Sequence, residues 1–368
     1  MKQRKSQMMK FLSAMAVASL AIVATAAHAE TVPMTPALAK VIEAANKEGA
    51  IALRSTGTVF GGAEGAKAAE IAINQTFGTH LKIDWVPGPA YGPMAAIVYQ
   101  EMQAGQKAST DVYTTTAVQA TPYLDKNLFQ KIDWAGIMPS RIKPDMVEAE
   151  GRMLRFQTVL PGVLYNVKAA PWVKDLKTTA DLLKPEYKGK FYTTPFLAGF
   201  DVLLAPDVWG PQKTEDYVKK FSQQLAGLVG CEGSDRIASG EIPALAFDCS
   251  GGAGNRIQYR GKGVFDNKIL SDMAQRREDY LAIPTNAPNP NAAILYTLYM
   301  MTHEGQEKLV FDIFGGDLYD FPDSHIHKEV SDAEAKGIKF IDVTIDWWRS
   351  HPNLDAQNNA LAKLVREK

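Results

Sequence analysis

Apolar positions along this chain fall either into short runs or into fours, and the two patterns take turns. "GAIALRST" (49–56) is an apolar run rich in strand formers. Behind it Ala69, Ile73 and Phe77 stand four apart, one stripe of a helix. "LKIDWVPG" (81–88) alternates, with Leu81, Ile83 and Trp85 on one side and a Pro-Gly stop. "PMAAIVYQEMQAG" (93–105) places Pro93 in a first helical turn, Met94, Ile97, Val98 and Met102 on one face, and Gly105 at the C-cap. "TDVYTTT" (110–116) follows as a third strand. This order of strand and helix predicts a parallel sheet with helices on both faces.

The rhythm restarts at "PGVLYNVK" (161–168), a strand-like run followed by Pro171-Trp172 and a helical segment ending at "KPEYKGK". "FYTTPFLAGFDVLL" (191–204) reads as strand, Thr-rich turn and helix, and "IPALAFDCSGGAGNRI" (242–257) as a strand opening into glycines. Two α/β units result, with no solenoid-length repeat and no low-complexity tract. After residue 283 the chain reads as helices, including "NPNAAILYTLYMMTHEGQEKLVFDIF" and an amphipathic tail from about Asp332.

The first residues follow another logic. Lys2, Arg4, Lys5 and Lys10 lead into "FLSAMAVASLAIVATAA" and then Ala27-His28-Ala29, the layout of a secretory signal peptide cleaved after Ala29. The full 368 residues, 46% hydrophobic and 22% charged, suit about two domains. Without residues 1–29 the chain keeps 36 basic against 41 acidic residues, a formal charge of −5, which gives no electrostatic reason to bind nucleic acid. Cys231 and Cys249, the only cysteines, form an even pair that an oxidising compartment would join as a disulfide.

In open α/β sheets, ligands sit outside the carboxyl ends of the strands, where loops and helix N-termini offer free N–H groups. Ser55-Thr56-Gly57-Thr58 lies at such an end, as do Thr114-Thr115-Thr116, Thr193-Thr194 and Ser250-Gly251-Gly252. Two turns from each half thus converge on one small polar ligand. The signatures of a serine-hydrolase elbow and of a phosphate-binding P-loop are missing, and "GGAEG" carries no lysine. His325 and His327 have the spacing of a weak metal pair in a polar loop, and no carboxylate pair stands out. Nothing here compels an enzyme, a cofactor or a metal.

"ALAKVIEAANKEGAIALRSTG", "EMQAGQKASTDVY", "GVLYNVK" and "APNPNAAILYTLYMMTHEGQEKL" resemble the extracellular solute-binding proteins of ABC importers, in the branch of ferric-ion, thiamine, polyamine and phosphonate binders. The resemblance runs over nearly all of the chain after residue 29. It implies a type II periplasmic binding fold: lobe 1 from 30–163 plus 283–325, lobe 2 from 164–282, and C-terminal helices from 326–368 packing on both. It also implies a monomer in the periplasm that closes on its solute and docks on a membrane permease. Ferric members carry adjacent tyrosines where this chain has only Tyr259. For a polyamine, Asp201 and Asp248 would supply carboxylates and Tyr91 and Phe196 aromatic walls. For an anion, hydroxyls, backbone amides and Arg54 or Arg256 would all donate, and this is the class expected. The expected site comprises Ser55, Thr56, Gly57, Tyr91, Thr115, Thr194, Asp201, Ser250, Gly251 and Arg256.

Overall fold

The structure, a computed structural model, describes residues 32–56, 59, 61–230, 233–248 and 263–367. The first helix, α1 (Pro36–Glu48), starts where Thr35 Oγ1 accepts the Leu38 amide at 3.0 Å and stops at Gly49, whose φ of 73° suits glycine. Its last residue reaches further. The Glu48 carboxylate accepts Asn291 Nδ2 and the Ala292 amide, each at 2.7 Å, and so holds the start of the Pro290–Met300 helix.

Strand β1 (Ala50–Ser55) pairs in parallel with β2 (Lys82–Pro87), and α2 (Gly62–Phe77) links them. Helix α3 (Tyr91–Gln103) leads to β3 (Tyr113–Thr116), and α4 (Ala117–Leu124) follows directly. No regular ladder joins β3 to β1. Asp111, fully buried, replaces one: its amide donates to Ala52 O at 2.7 Å, while its carboxylate accepts the Ala52 and Asn289 amides, both at 2.7 Å. Burial raises the Asp111 pKa, and these bonds offset part of that cost. The layer continues through β11 (Gln275–Ala282), antiparallel to β3 and to β5 (Met153–Val159), and ends at β4 (Val147–Glu148).

The second sheet runs β10 (Phe265–Lys268), β6 (Val163–Asn166), β9 (Ala244–Ala246), β7 (Phe191–Thr193), β8 (Leu225–Leu228). Residues 160–162 carry the chain out from β5 to β6, and 269–274 bring it back from β10 to β11. These segments pack together, with Leu160, Ile269 and Ala274 in one apolar cluster, and the outgoing one also meets the end of β10. Asn267 Nδ2 donates to Leu160 O at 3.0 Å, and a Cβ on Gly162 would stand 2.6 Å from Asn267 Oδ1 and 2.7 Å from Lys268 O. Residues 275–282, assigned by sequence to the second lobe, hydrogen-bond to strands of the first sheet, so the return comes earlier than residue 283.

The helices expected after Pro171 and after β7 are 3₁₀ turns, Pro171–Asp175, Thr179–Leu183, Pro185–Tyr187 and Val202–Leu204. Pro185 lacks the amide with which the run from Thr179 could have continued as a helix. The tail is not purely helical either. It opens with His325–Glu334, adds strand β12 (Ile341–Val343) parallel to β11, and ends in helices Ile345–Ser350 and Leu354–Arg366. One apolar cluster runs without a break from Ala120 and Leu124 of α4 through Ile345 and Trp348 to Leu361, Val218 and Phe221.

Candidate functional site

Ser55 ends β1 with its hydroxyl turned inward: Trp85 Nε1 donates to it at 3.0 Å, and it donates to Thr56 O at 3.2 Å. Thr56 is the next residue, half-buried, and Gly57 lies outside the described residues. Tyr91 opens α3. Its carbonyl accepts the Tyr113 hydroxyl at 2.8 Å, and burial, then the charge of Asp279, raises its own phenol well above the usual range. Thr115 is fully buried and donates to Thr116 O at 3.2 Å, so at this strand end the half-buried Thr116 is the more open hydroxyl.

On the second lobe Thr194 and Asp201 share the loop after β7. Thr194 Oγ1 accepts the Ala198 amide at 2.8 Å. Inside that loop Leu197, fully buried, has φ of 51°, and Phe247, just after β9, has φ of 61°. Left-handed backbone costs a residue with a Cβ on the order of 1 kcal/mol or more, so both loops are held in place by their surroundings. The Phe247 amide donates to Gly162 O at 2.8 Å, fastening one loop to the outgoing crossing. Ser250, Gly251, Arg256, Cys231 and Cys249 lie outside the described residues.

Asp201 meets a partner that sequence reasoning missed. Arg277 of β11 donates through Nη1 and Nη2 to the two Asp201 carboxylate oxygens, both at 2.7 Å, and through Nη1 to Gln275 Oε1 at 2.9 Å. Gln275 Nε2 in turn donates to Gly199 O at 3.1 Å. The returning strand therefore grips the Thr194–Asp201 loop in two places. Burial pulls the Arg277 pKa down, but Asp201 more than offsets it, and the guanidinium stays charged.

Two residues on, Asp279 sits opposite Thr116 in the β3–β11 ladder and on the face of Arg277. It is 8% exposed, its carboxylate has no hydrogen bond among the described residues, and burial, against the pull of Arg277, pushes it up to about 7. Glu278 faces the other way. Thr158 Oγ1 donates to it at 2.7 Å, and burial, opposed by Arg155, pushes it up to about 8. The signal was there: "QRRED" puts four charges in a row inside a strand. A strand covered on both faces cannot hold these without partners.

His325 and His327 go separate ways. The first bonds Asp317 Oδ2 at 2.9 Å and stacks on Phe311, while the second faces Tyr319 O at 2.9 Å. Among the described residues no three His, Cys, Asp or Glu side chains are grouped to hold a metal, and no helix is long and apolar enough to cross a membrane. A groove of about 740 Å³ between Thr179, Trp209, Lys213 and Tyr217 includes none of the residues at the strand ends.

Two sheets joined by two touching segments, with polar strand ends on either side and a charge pair between them, can be compared with known structures. Ferric ion-binding protein A from Pasteurella haemolytica, in its apo form, superposes with a TM-score of 0.60 at 15% identity, over 87% of this chain and 97% of that one. The fold is the two-lobed type II periplasmic binding fold. AfuA from Actinobacillus pleuropneumoniae, a periplasmic binding protein with fructose-6-phosphate bound, gives 0.60 and 15% over 86% and 97% of the chains. The spermidine/putrescine ABC transporter substrate-binding protein PotD from Streptococcus pneumoniae gives 0.60 and 14% over 85% and 99%. No family model and no curated protein matches the sequence.

Proposed function

We propose that this chain is the solute-binding receptor of an ABC importer, a binder and not an enzyme, exported to the periplasm with residues 1–29 removed. It captures one small polar solute between its lobes and offers the closed form to a membrane permease. The observation that carries this reading is the meeting at the hinge: the Asp201 loop of one sheet is gripped by Arg277 in the returning strand of the other. A solute that touches both lobes binds the closed arrangement better than the open one and shifts the hinge equilibrium by that difference.

The chemistry of the returning strand narrows the solute. Among the described residues Arg277 uses three of its five N–H groups, on Asp201 and Gln275, which leaves two for an anion. Asp279, buried and without a hydrogen bond among the described residues, calls for a donor such as a hydroxyl or an ammonium group. Together they favour an organic or phosphorylated anion that also carries hydroxyls or an amine, over a ferric ion or a bare polyamine.

Thermal unfolding of the ligand-stripped protein against carboxylates, phosphosugars, aminophosphonates, polyamines, thiamine and ferric chelates tests this. A solute at a hundred times its Kd adds about 2.7 kcal/mol to the folded state. We expect a shift with a hydroxylated or aminated anion that Arg277→Gln and Asp279→Asn each weaken at least tenfold in Kd. A shift with polyamines or ferric ion alone overturns the solute class and keeps the receptor. No shift with any class refutes the receptor.

A further inference from the structure

Residues 341–366 touch both lobes. On the first, β12 pairs with β11 from Gln275↔Ile341 to Arg277↔Val343, the Ile345 amide donates to Glu148 Oε2 at 2.9 Å, and the Ile345–Ser350 helix packs on α4. Arg349 Nη2 reaches Asp125 Oδ1 at 3.5 Å. On the second, the Leu354–Arg366 helix packs on Pro211–Ser222. Only His351, Pro352 and Asn353 lie between. His351 Nε2 bonds Asp207 Oδ1 of the second lobe at 3.0 Å while its Nδ1 bonds Trp347 O at 2.8 Å, and Asn353 takes the left-handed φ of 73°.

The far end of this segment meets the loop that bears Thr194 and Asp201. Asn358 Nδ2 donates to Phe196 O and Arg366 Nη1 to Pro195 O, both at 3.0 Å. That loop is thus pinned twice, by Gln275 and Arg277 of the returning strand and by the last helix.

We infer that residues 341–366 are a third tie between the lobes, pivoting at His351–Asn353, and that Asn358 and Arg366 are positioning residues that set where the Thr194–Asp201 loop stands against β11. The inference builds on the solute-receptor reading, but its test needs no solute. Fluorophores are placed through non-natural amino acids at the exposed Lys107 and Lys188, one per lobe, in the full chain and in Asn358→Ala/Arg366→Ala, His351→Gln and Arg366→Lys variants. Interlobe distances come from single-molecule energy transfer, and amide exchange is read peptide by peptide.

The double variant should speed exchange of amides 197–202 at least tenfold and leave α1 unchanged. His351→Gln should broaden the interlobe distance distribution, and Arg366→Lys, which keeps a donor, should resemble wild type. Unchanged exchange and distances overturn the tie. Exchange accelerated equally in α1 overturns it as well, because the segment would then serve only global stability. Either failure leaves solute binding, measured by thermal shift, untouched.

Discussion

Replacing Asp201 by Ala removes the acceptor of both Arg277 hydrogen bonds, each 2.7 Å, and leaves the guanidinium with Gln275 Oε1 alone. Breaking a buried ion pair from one side costs about 3–5 kcal/mol, because a desolvated charge stays behind. The Arg277 side chain is 19% exposed, so water recovers part of this, and we expect about 2–3 kcal/mol. A further ~1 kcal/mol goes with the turn cap, since Asp201 Oδ1 also accepts the Val202 amide at 3.0 Å. The assay is urea unfolding followed by tryptophan fluorescence, for Asp201→Ala, Arg277→Met and the double variant, with shared m-values. The double variant should be more stable than the sum of the single losses predicts, with a coupling of about 1.5 kcal/mol or more. A coupling below about 0.5 kcal/mol would refute the argument, since it would mean that the pair is solvated and that β11 does not hold the second-lobe loop electrostatically.

Burial holds Glu278 up to about 8 and Asp279 up to about 7, against unfolded values near 4.3 and 3.9, so between these limits the folded chain keeps protons the unfolded chain has released. Their contribution is complete below about pH 4 and is lost as pH rises through 7 to 8; melting temperatures should therefore fall from pH 5 to 8.5, less steeply in Glu278→Gln and Asp279→Asn, and equal slopes in all three proteins would contradict the burial argument. Gly162→Ala should push the outgoing crossing away from the end of β10, because the new Cβ meets the Lys268 carbonyl at 2.7 Å; we expect a loss of about 1–3 kcal/mol in urea unfolding, and a neutral outcome would show that the crossing and β10 can separate freely. Glu48→Ala removes the acceptor of Asn291 and Ala292 and should cost about 1–2 kcal/mol, read by the same unfolding experiment. For Cys231 and Cys249, intact mass of protein from the periplasm should rise by about two hydrogens on reduction, whereas free thiols would dismiss the bridge.

The first α/β unit was legible because its faces are simple. Ile51 and Leu53, Ala69 and Ile73, and Met94 and Val98 are buried at the spacings the sequence shows, and Gly105 follows α3 with φ of 67°. The returning strand was legible only as the end of the second lobe near residue 282, since its charges conceal the alternation and its partners lie at Asp201, Thr158 and Thr116, far away in sequence. Asp111 was hidden for the same reason: it lay inside the expected strand 110–116, and its partners Ala52 and Asn289 are far away in sequence. Of the expected site, Asp201 gained a partner that gives it a role, while Ser55 and Thr115 turned their hydroxyls into the wall because backbone and Trp85 groups nearby needed them.

Helix α1 is fixed to the first lobe through Glu48 and the Pro290–Met300 helix, whereas the chain's last helix rests on the second. The two extremities of the folded chain therefore ride on different halves of the jaw. Fluorescent proteins fused ahead of α1 and behind Arg366 would follow any change in the angle between the halves from outside, with no insertion into a loop. A ratiometric biosensor of that angle could be built from this chain by end-to-end fusion alone.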